Sequence, residues 1–216
     1  MSERLRINEI FFSIQGESTW AGCPCVFVRL TGCNLRCHWC DTKYAFYEGH
    51  QLPIDEVVER VRAYGCNLVE VTGGEPLLQK GIHRLFELLL NHGFTVLVET
   101  SGERDLSEID PRIIKIVDLK CPSSGECARN RMSNLEYVSN RDELKFVIGE
   151  RCDFEWACEI IRRYQLSQLV RAVLMSPVFG SLSPADLANW ILQERLPVRM
   201  QLQMHKHIWP PDMRGV

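Results

Sequence analysis

Cys33, Cys37 and Cys40 stand in the stretch Gly32-Cys33-Asn34-Leu35-Arg36-Cys37-His38-Trp39-Cys40-Asp41-Thr42, spaced CxxxCxxC. Soft thiolates at such spacing select an iron–sulfur cluster or zinc. Three of them can hold three irons of a cubane 4Fe-4S cluster. Electron-carrier clusters take four cysteines, so a cluster one ligand short offers an open iron to a small molecule. The zinc alternative is a non-catalytic binding module. It needs a closed set of four ligands, and His38, wedged between two of the cysteines, would strain to reach the same ion. A second motif, Gly73-Gly74-Glu75-Pro76, combines glycines that let backbone approach a ligand with a carboxylate able to accept charge-assisted hydrogen bonds from an ammonium. Alone it is a turn before a helix. Arg29 can clamp a carboxylate bidentately or serve in a strand-end salt bridge, and Glu99 has the same two readings. His205 can be a satisfied interior histidine, and Thr42 a helix cap.

These residues require a scaffold, and 216 residues suffice for one domain, residues 1–216, with a sizeable core. A hydrophobic fraction of 45% and a charged fraction of 25% are ordinary for a globular protein. The formal net charge of -3 gives no general pull toward nucleic acid, and no basic stripe interleaved with aromatics stands out. No apolar run is long enough to cross a membrane, and Met1 to Asn8 lacks a secretory apolar core, so a cytoplasmic protein is expected. The remaining seven cysteines, Cys23, Cys25, Cys66, Cys121, Cys127, Cys152 and Cys158, are expected as small buried or semi-buried residues rather than a disulfide framework. Cys23 and Cys25 are near enough to the motif to be weighed as extra ligands; Pro24 and the apolar run after it read instead as a strand entry.

Apolar runs predict strands at Cys25 to Leu30, Leu68 to Val71, Thr95 to Glu99, Ile114 to Leu119, Leu144 to Ile148, Val170 to Met175 and Val198 to Gln203. Continuous Val/Ile/Leu runs suit parallel strands buried on both faces. Helical stripes lie between them: Ile54, Val57, Val58 and Val61 in a helix that Pro53 opens at its first position; Ile82, Leu85, Phe86 and Leu89; Ala157, Ile160, Ile161 and Tyr164; and Leu187, Trp190 and Ile191 after a Ser183 cap. The alternation implies an α/β fold, an incomplete TIM-type barrel of about six parallel strands with outer helices. The polar motifs follow the C-terminal ends of the strands, where such folds build their sites. The long stretch from Lys120 to Asn140 is either functional or holds its own helix.

CxxxCxxC with Trp39 before the last cysteine, followed by Gly73-Gly74-Glu75-Pro76, resembles the radical S-adenosylmethionine (SAM) superfamily. Phe12-Ser13-Ile14-Gln15-Gly16-Glu17-Ser18, Gly22, Pro24, Val26-Phe27-Val28-Arg29-Leu30, Cys40-Asp41-Thr42 and the C-terminal Gln203-Met204-His205-Lys206 narrow the resemblance to the 7-carboxy-7-deazaguanine synthase family. It spans the whole chain. It departs at Ser18, where many members have glycine, and at Thr100-Ser101, where Thr-Asn is commoner.

The resemblance implies a lyase that converts 6-carboxy-5,6,7,8-tetrahydropterin to 7-carboxy-7-deazaguanine with loss of ammonia, toward queuosine. It implies a 4Fe-4S cluster on Cys33, Cys37 and Cys40, SAM used as a cofactor, and magnesium at Thr42. SAM contacts are implied at Trp39, Cys40, Asp41, Gly74, Glu75, Ser101, Ser123 and Ser124. Substrate contacts are implied at Ile14, Gln15, Gly16, Arg29, Thr72, Glu99, His205 and the terminal carboxylate of Val216. Flavodoxin or ferredoxin is the implied electron donor, and a homodimer the implied assembly. Another radical SAM enzyme, such as a glycyl-radical activase, would share the cysteines but gives no reason for the Gln15-Gly16-Glu17 block.

Overall fold

The computed structural model describes residues 3–216. The strands are β1 (Arg4–Ile14), β2 (Pro24–Leu30), β3 (His50–Pro53), β4 (Leu68–Gly73), β5 (Thr95–Thr100), β6 (Ile114–Asp118), β7 (Glu143–Ile148), β8 (Ala172–Pro177) and β9 (Arg199–Met200). The helices are α1 (Ile54–Arg62), α2 (Ile82–Asn91), α3 (Arg151–Tyr164), α4 (Leu166–Leu169), α5 (Pro184–Glu194) and α6 (His205–Ile208). One sheet runs in the order β3-β1-β2-β4-β5-β6-β7-β8-β9. From β2 to β9 each neighbour is parallel, whereas β1 pairs antiparallel with both β2 and β3. The edge strands β3 and β9 do not meet, so the barrel is open, as expected.

Alternation along the strands sorts the side chains by face. Val26, Val28, Val69, Val71, Val96, Val98, Leu144, Phe146 and Met175 pack with the buried stripes of α1, α2, α3 and α5 in the main core. The opposite face is layered. Cys25, Phe27, Leu68, Leu97, Ile114 and Ile116 form a second apolar cluster with Trp20 and Phe11. One or two steps further along the same strands come Arg29, Glu70, Thr72, Glu99 and Asp118, joined by Lys145 from β7. The sheet thus carries a greasy layer toward its N-terminal ends and a charged one toward its C-terminal ends.

Several sequence expectations shift. The N-terminal segment is a long strand, β1, whose polar residues sit on an outward, half-solvated face while Leu5 and Ile7 are buried. The last predicted strand shrinks to two residues, and the sixth starts later, at Ala172. Ser183 occupies the position before α5 but its hydroxyl caps nothing, and Pro53 precedes α1 rather than opening it. Tyr164 is exposed rather than part of the buried stripe of α3. The stretch from Lys120 to Asn140 holds three short 3-10 turns. Cys23 and Cys152 are exposed, Cys66 and Cys127 half-buried, and Cys25, Cys121 and Cys158 buried; all ten thiols are free. Cys25 belongs to the apolar layer, which removes it from the ligand set.

Candidate active site

The segment that follows β2 places Cys33, Cys37 and Cys40 on the wall of one cavity of about 640 Å³ at the C-terminal ends of the strands. Gly32 takes φ +104°, a backbone conformation that glycine adopts without a Cβ penalty, and turns the chain there. All three thiols are half-buried. Desolvation pushes Cys37 up to about 11, with Lys120 acting against it, and raises Cys33 as well. A metal centre supplies what those thiols need to ionise. His38 turns away from them: its Nδ1 is 2.8 Å from the Ser123 carbonyl oxygen, and its ring lies against Gly125. Among the described residues no three His, Cys, Asp or Glu side chains converge on a point that could hold one ion. Three thiols on one wall suit a cluster in which each thiolate takes its own iron, and His38, held at Ser123, is not placed as the fourth ligand that the zinc reading needs.

The Gly73-Gly74-Glu75-Pro76 turn packs directly on that segment. A Cβ on Gly74 would stand 2.3 Å from Gly32 O and 2.7 Å from Cys33 Cβ, so glycine is required there by space. Glu75 N donates to Gly32 O at 2.8 Å. The Glu75 side chain, 0% exposed, does not reach the cavity. Its carboxylate accepts from Leu77 N at 3.1 Å, Thr100 Oγ1 at 2.9 Å, Ser101 N at 2.8 Å and Ser101 Oγ at 2.7 Å. Glu75 ties the turns after β4 and β5 together, and the expected direct contact to an ammonium is replaced by this internal anchoring. Ser123 and Ser124 are likewise framework: the Ser123 hydroxyl donates to Asp153, and Ser124 Oγ to Cys121 O at 2.6 Å. Neither lines the cavity, whereas Gly73, Gly74, Thr100 and Ser101 do.

Opposite the cysteines the cavity is lined by Ile14, Gln15, Gly16, Arg29, Thr72, Glu99, His205 and Val216, and near them by Trp39, Asp41 and Thr42. Arg29 spends its Nε on Glu9 at 2.8 Å, and Tyr44 donates to the same Glu9 oxygen at 2.9 Å. The terminal guanidinium nitrogens of Arg29 have no acceptor among the described residues. His205 stands over Gly16, where an added Cβ would lie 2.5 Å from Nδ1, and desolvation lowers its pKa. Asp41 accepts from Lys206 Nζ at 2.6 Å; although desolvation opposes it, Lys206 and Gln203 bring Asp41 down to about 2. Thr42 offers one neutral hydroxyl, 3.8 Å from Cys40 Sγ.

Charged residues of the wall that lie inside strands escaped sequence reading: Glu70, Asp118 and Lys145. Lys145 Nζ lies 2.5 Å from Glu17 Oε2 and 2.8 Å from Glu99 Oε1. Desolvation works against both charges of this cluster, yet Lys145 lowers Glu17, and Glu17 with Glu99 holds Lys145 well above its usual value. Glu99 is raised by desolvation. Asp118 pairs with Lys120 at 2.7 Å. Their signal was a charge inside an otherwise apolar strand, since Lys, Glu and Asp are almost never fully buried without a partner.

The loop between β1 and β2 completes the wall. Ser18 N donates to Gln201 Oε1 at 2.8 Å, Thr19 Oγ1 to Glu143 Oε1 at 2.5 Å, Gln203 Nε2 to Glu17 Oε1 at 3.0 Å, and Met204 N to Gly16 O at 2.9 Å. Backbone and side-chain groups of this loop thereby hold β7 and the segment that follows β9.

The family model of the radical SAM superfamily matches residues 27–191. A 7-carboxy-7-deazaguanine synthase of Koribacter versatilis is 46% identical over 226 residues, covering 98% of this chain and 100% of that protein. One of Chlorobaculum tepidum is 47% identical over 215 residues, covering 98% and 97%. Among solved structures, QueE from Escherichia coli matches with a TM-score of 0.70 at 24% identity, over 94% of this chain and 95% of that one, a likeness of fold. The synthase name over nearly full length sets the glycyl-radical activase reading aside.

Proposed function

Because the chain belongs to the radical SAM superfamily and, within it, to the 7-carboxy-7-deazaguanine synthase family, we propose that its cavity converts 6-carboxy-5,6,7,8-tetrahydropterin to 7-carboxy-7-deazaguanine with release of ammonia. The observation that carries this reading is the shape of one cavity: three thiols on one wall and, facing them, a dense set of buried polar groups. When bound, a 4Fe-4S cluster on Cys33, Cys37 and Cys40 with SAM supplies one-electron chemistry and a 5′-deoxyadenosyl radical.

The chain's own residues bind, orient and exclude water. The free edge of the Arg29 guanidinium holds the substrate carboxylate. Backbone groups of Ile14, Gln15 and Gly16 read the ring edge, with Thr72, Glu99, His205 and the carboxylate of Val216 around it. Gly74, Ser101, Trp39, Cys40 and Asp41 receive SAM, with Glu75, Ser123 and Ser124 holding the loops beneath it. Thr42 gives one oxygen to a magnesium ion whose octahedron substrate and water complete. Lys145, fixed between Glu17 and Glu99, sets the charge of the floor. Flavodoxin or ferredoxin delivers the electron, and the protein works in the cytoplasm as a homodimer of the single domain 1–216. No helix among the described residues is long and apolar enough to cross a membrane.

Anaerobic reconstitution with iron and sulfide, followed by mass detection of the deazaguanine from the pterin, tests the reaction; iron–sulfur protein that leaves the pterin unchanged refutes it. Deoxyadenosine released in proportion to product would contradict a catalytic role for SAM. Thr42→Ala should lose magnesium stimulation, and an unchanged magnesium response removes that ligand.

A further inference from the structure

Glu17, Glu70 and Glu99 share one cluster with a single ammonium, Lys145. The ammonium lies 2.5 Å from Glu17 and 2.8 Å from Glu99, and these two carboxylates occupy it. Glu70, 3% exposed, has no cation: its partner is the side-chain amide of Gln15, and Arg29, the next cation on this face, directs its Nε to Glu9. Asp118, from the neighbouring β6, is already paired with Lys120. Three carboxylates around one ammonium leave an excess of negative charge, and of the three Glu70 is the one withdrawn from water, since Glu17 and Glu99 stay partly exposed. A buried carboxyl without a partner neutralises itself by taking a proton.

The Gln15 amide fixes where that proton sits. Its Oε1 accepts from Glu17 N at 2.9 Å, which turns its Nε2 onto Glu70 Oε2. Oε2 is therefore the acceptor oxygen of Glu70, and the proton belongs on Oε1. Glu70 Oε1 has no protein partner, is not among the sealed unpartnered atoms, and belongs to a residue that lines the cavity.

We propose that Glu70 is a resident carboxylic acid whose Oε1–H opens on the cavity and donates a hydrogen bond to an acceptor of the ring bound there, a carbonyl oxygen or an unprotonated ring nitrogen. Glu70 is then a specificity-determining residue: a carboxylate at this point would select a ring N–H, whereas the acid selects a lone pair. Its electrostatic surroundings agree. Desolvation, then Glu99 and Glu17, raise its pKa well above the usual 4.5, against the smaller pull of Lys145 and Arg29. This inference deepens the pterin reading and rests on it for the identity of the ring, but not for the presence of the proton.

The test uses the reconstituted holoenzyme with Glu70→Gln and Glu70→Ala. Infrared difference spectroscopy without substrate at neutral pH should show a protonated-carboxyl C=O band in the native protein that is absent from both variants. In turnover, Glu70→Ala leaves the acceptor unpaired and should raise KM about 10- to 100-fold. Glu70→Gln keeps a neutral donor and should recover most of that loss. Absence of a Glu70-dependent band overturns the proposal, as does a Gln variant as impaired as the Ala variant. Should Glu70→Ala fail to fold, the band and the Gln variant decide. A native enzyme that shows the band but ignores the pterin refutes the substrate reading and leaves the acid standing.

Discussion

The wall that carries the three cysteines and the wall that faces it are held by different forces. The cysteine wall is a matter of backbone and space: Gly74 fits against Gly32 and Cys33 where no Cβ can go, and Glu75 fastens neighbouring turns from below through neutral donors. The facing wall is a matter of charge: buried Lys145 and Glu70 and half-buried Glu17 and Glu99 sit within reach of one another. The first should fail when volume is added and ignore changes of charge at a distance. The second should tolerate small changes of shape and fail when a charge loses its partner.

The largest effect should come from removing a ligand outright. Cys37→Ser should abolish cluster and turnover together, read as iron and sulfide content beside product; activity in the variant would remove Cys37 from the ligand set. Next, Lys145→Met strands two carboxylates and should cost about 3–5 kcal/mol in urea unfolding of the cluster-free protein, while iron loading of the folded fraction stays near native. Gly74→Ala should do the converse: a smaller loss of about 1–3 kcal/mol, with cluster content sharply reduced. If both variants lose iron equally, the distinction between the two walls breaks.

A gentler probe is pH. A carboxyl raised in the folded state above its free value of 4.5 contributes stability that is complete below that value and is withdrawn as pH climbs through the folded value. Thermal melting of the native protein should therefore fall over that window relative to Glu70→Gln, and parallel curves would place the proton elsewhere. The smallest change is at Ser18. Its φ of 66° lies in the left-handed region, which explains the glycine common in the family, and its Oγ accepts from Trp20 N at 3.0 Å. Relief of strain and loss of that bond nearly cancel, so Ser18→Gly should stay within about 1 kcal/mol of native.

How much of this was legible follows from what each residue pays heed to locally. Continuous apolar runs identified the parallel strands because burial on both faces leaves little choice of residue type. β1 was missed because it lies near the sheet edge, where Arg4, Arg6 and Asn8 alternate with Leu5 and Ile7 and the polar half dominates the eye. The motif cysteines, Gly74, Arg29 and His205 reached the cavity because spacing after a strand end fixes their side. Glu75, Ser123 and Ser124 have the right chemistry but turn it inward, a choice made by tertiary partners such as Thr100 and Asp153. Glu70 and Lys145 hid inside Leu68-Val69-Glu70-Val71 and Leu144-Lys145-Phe146, where only the pleat tells a charge from the core beside it.

The loop between β1 and β2 is fastened to residues more than 180 positions later, Ser18 to Gln201 and Glu17 to Gln203. During synthesis on the ribosome that loop emerges early and has to wait for its fasteners. The strands can pair in order as they are made, but the pocket itself stays unfinished until residues 201–206 have left the exit tunnel. A chain stalled short of that point would carry its cysteines without the enclosure that shelters them.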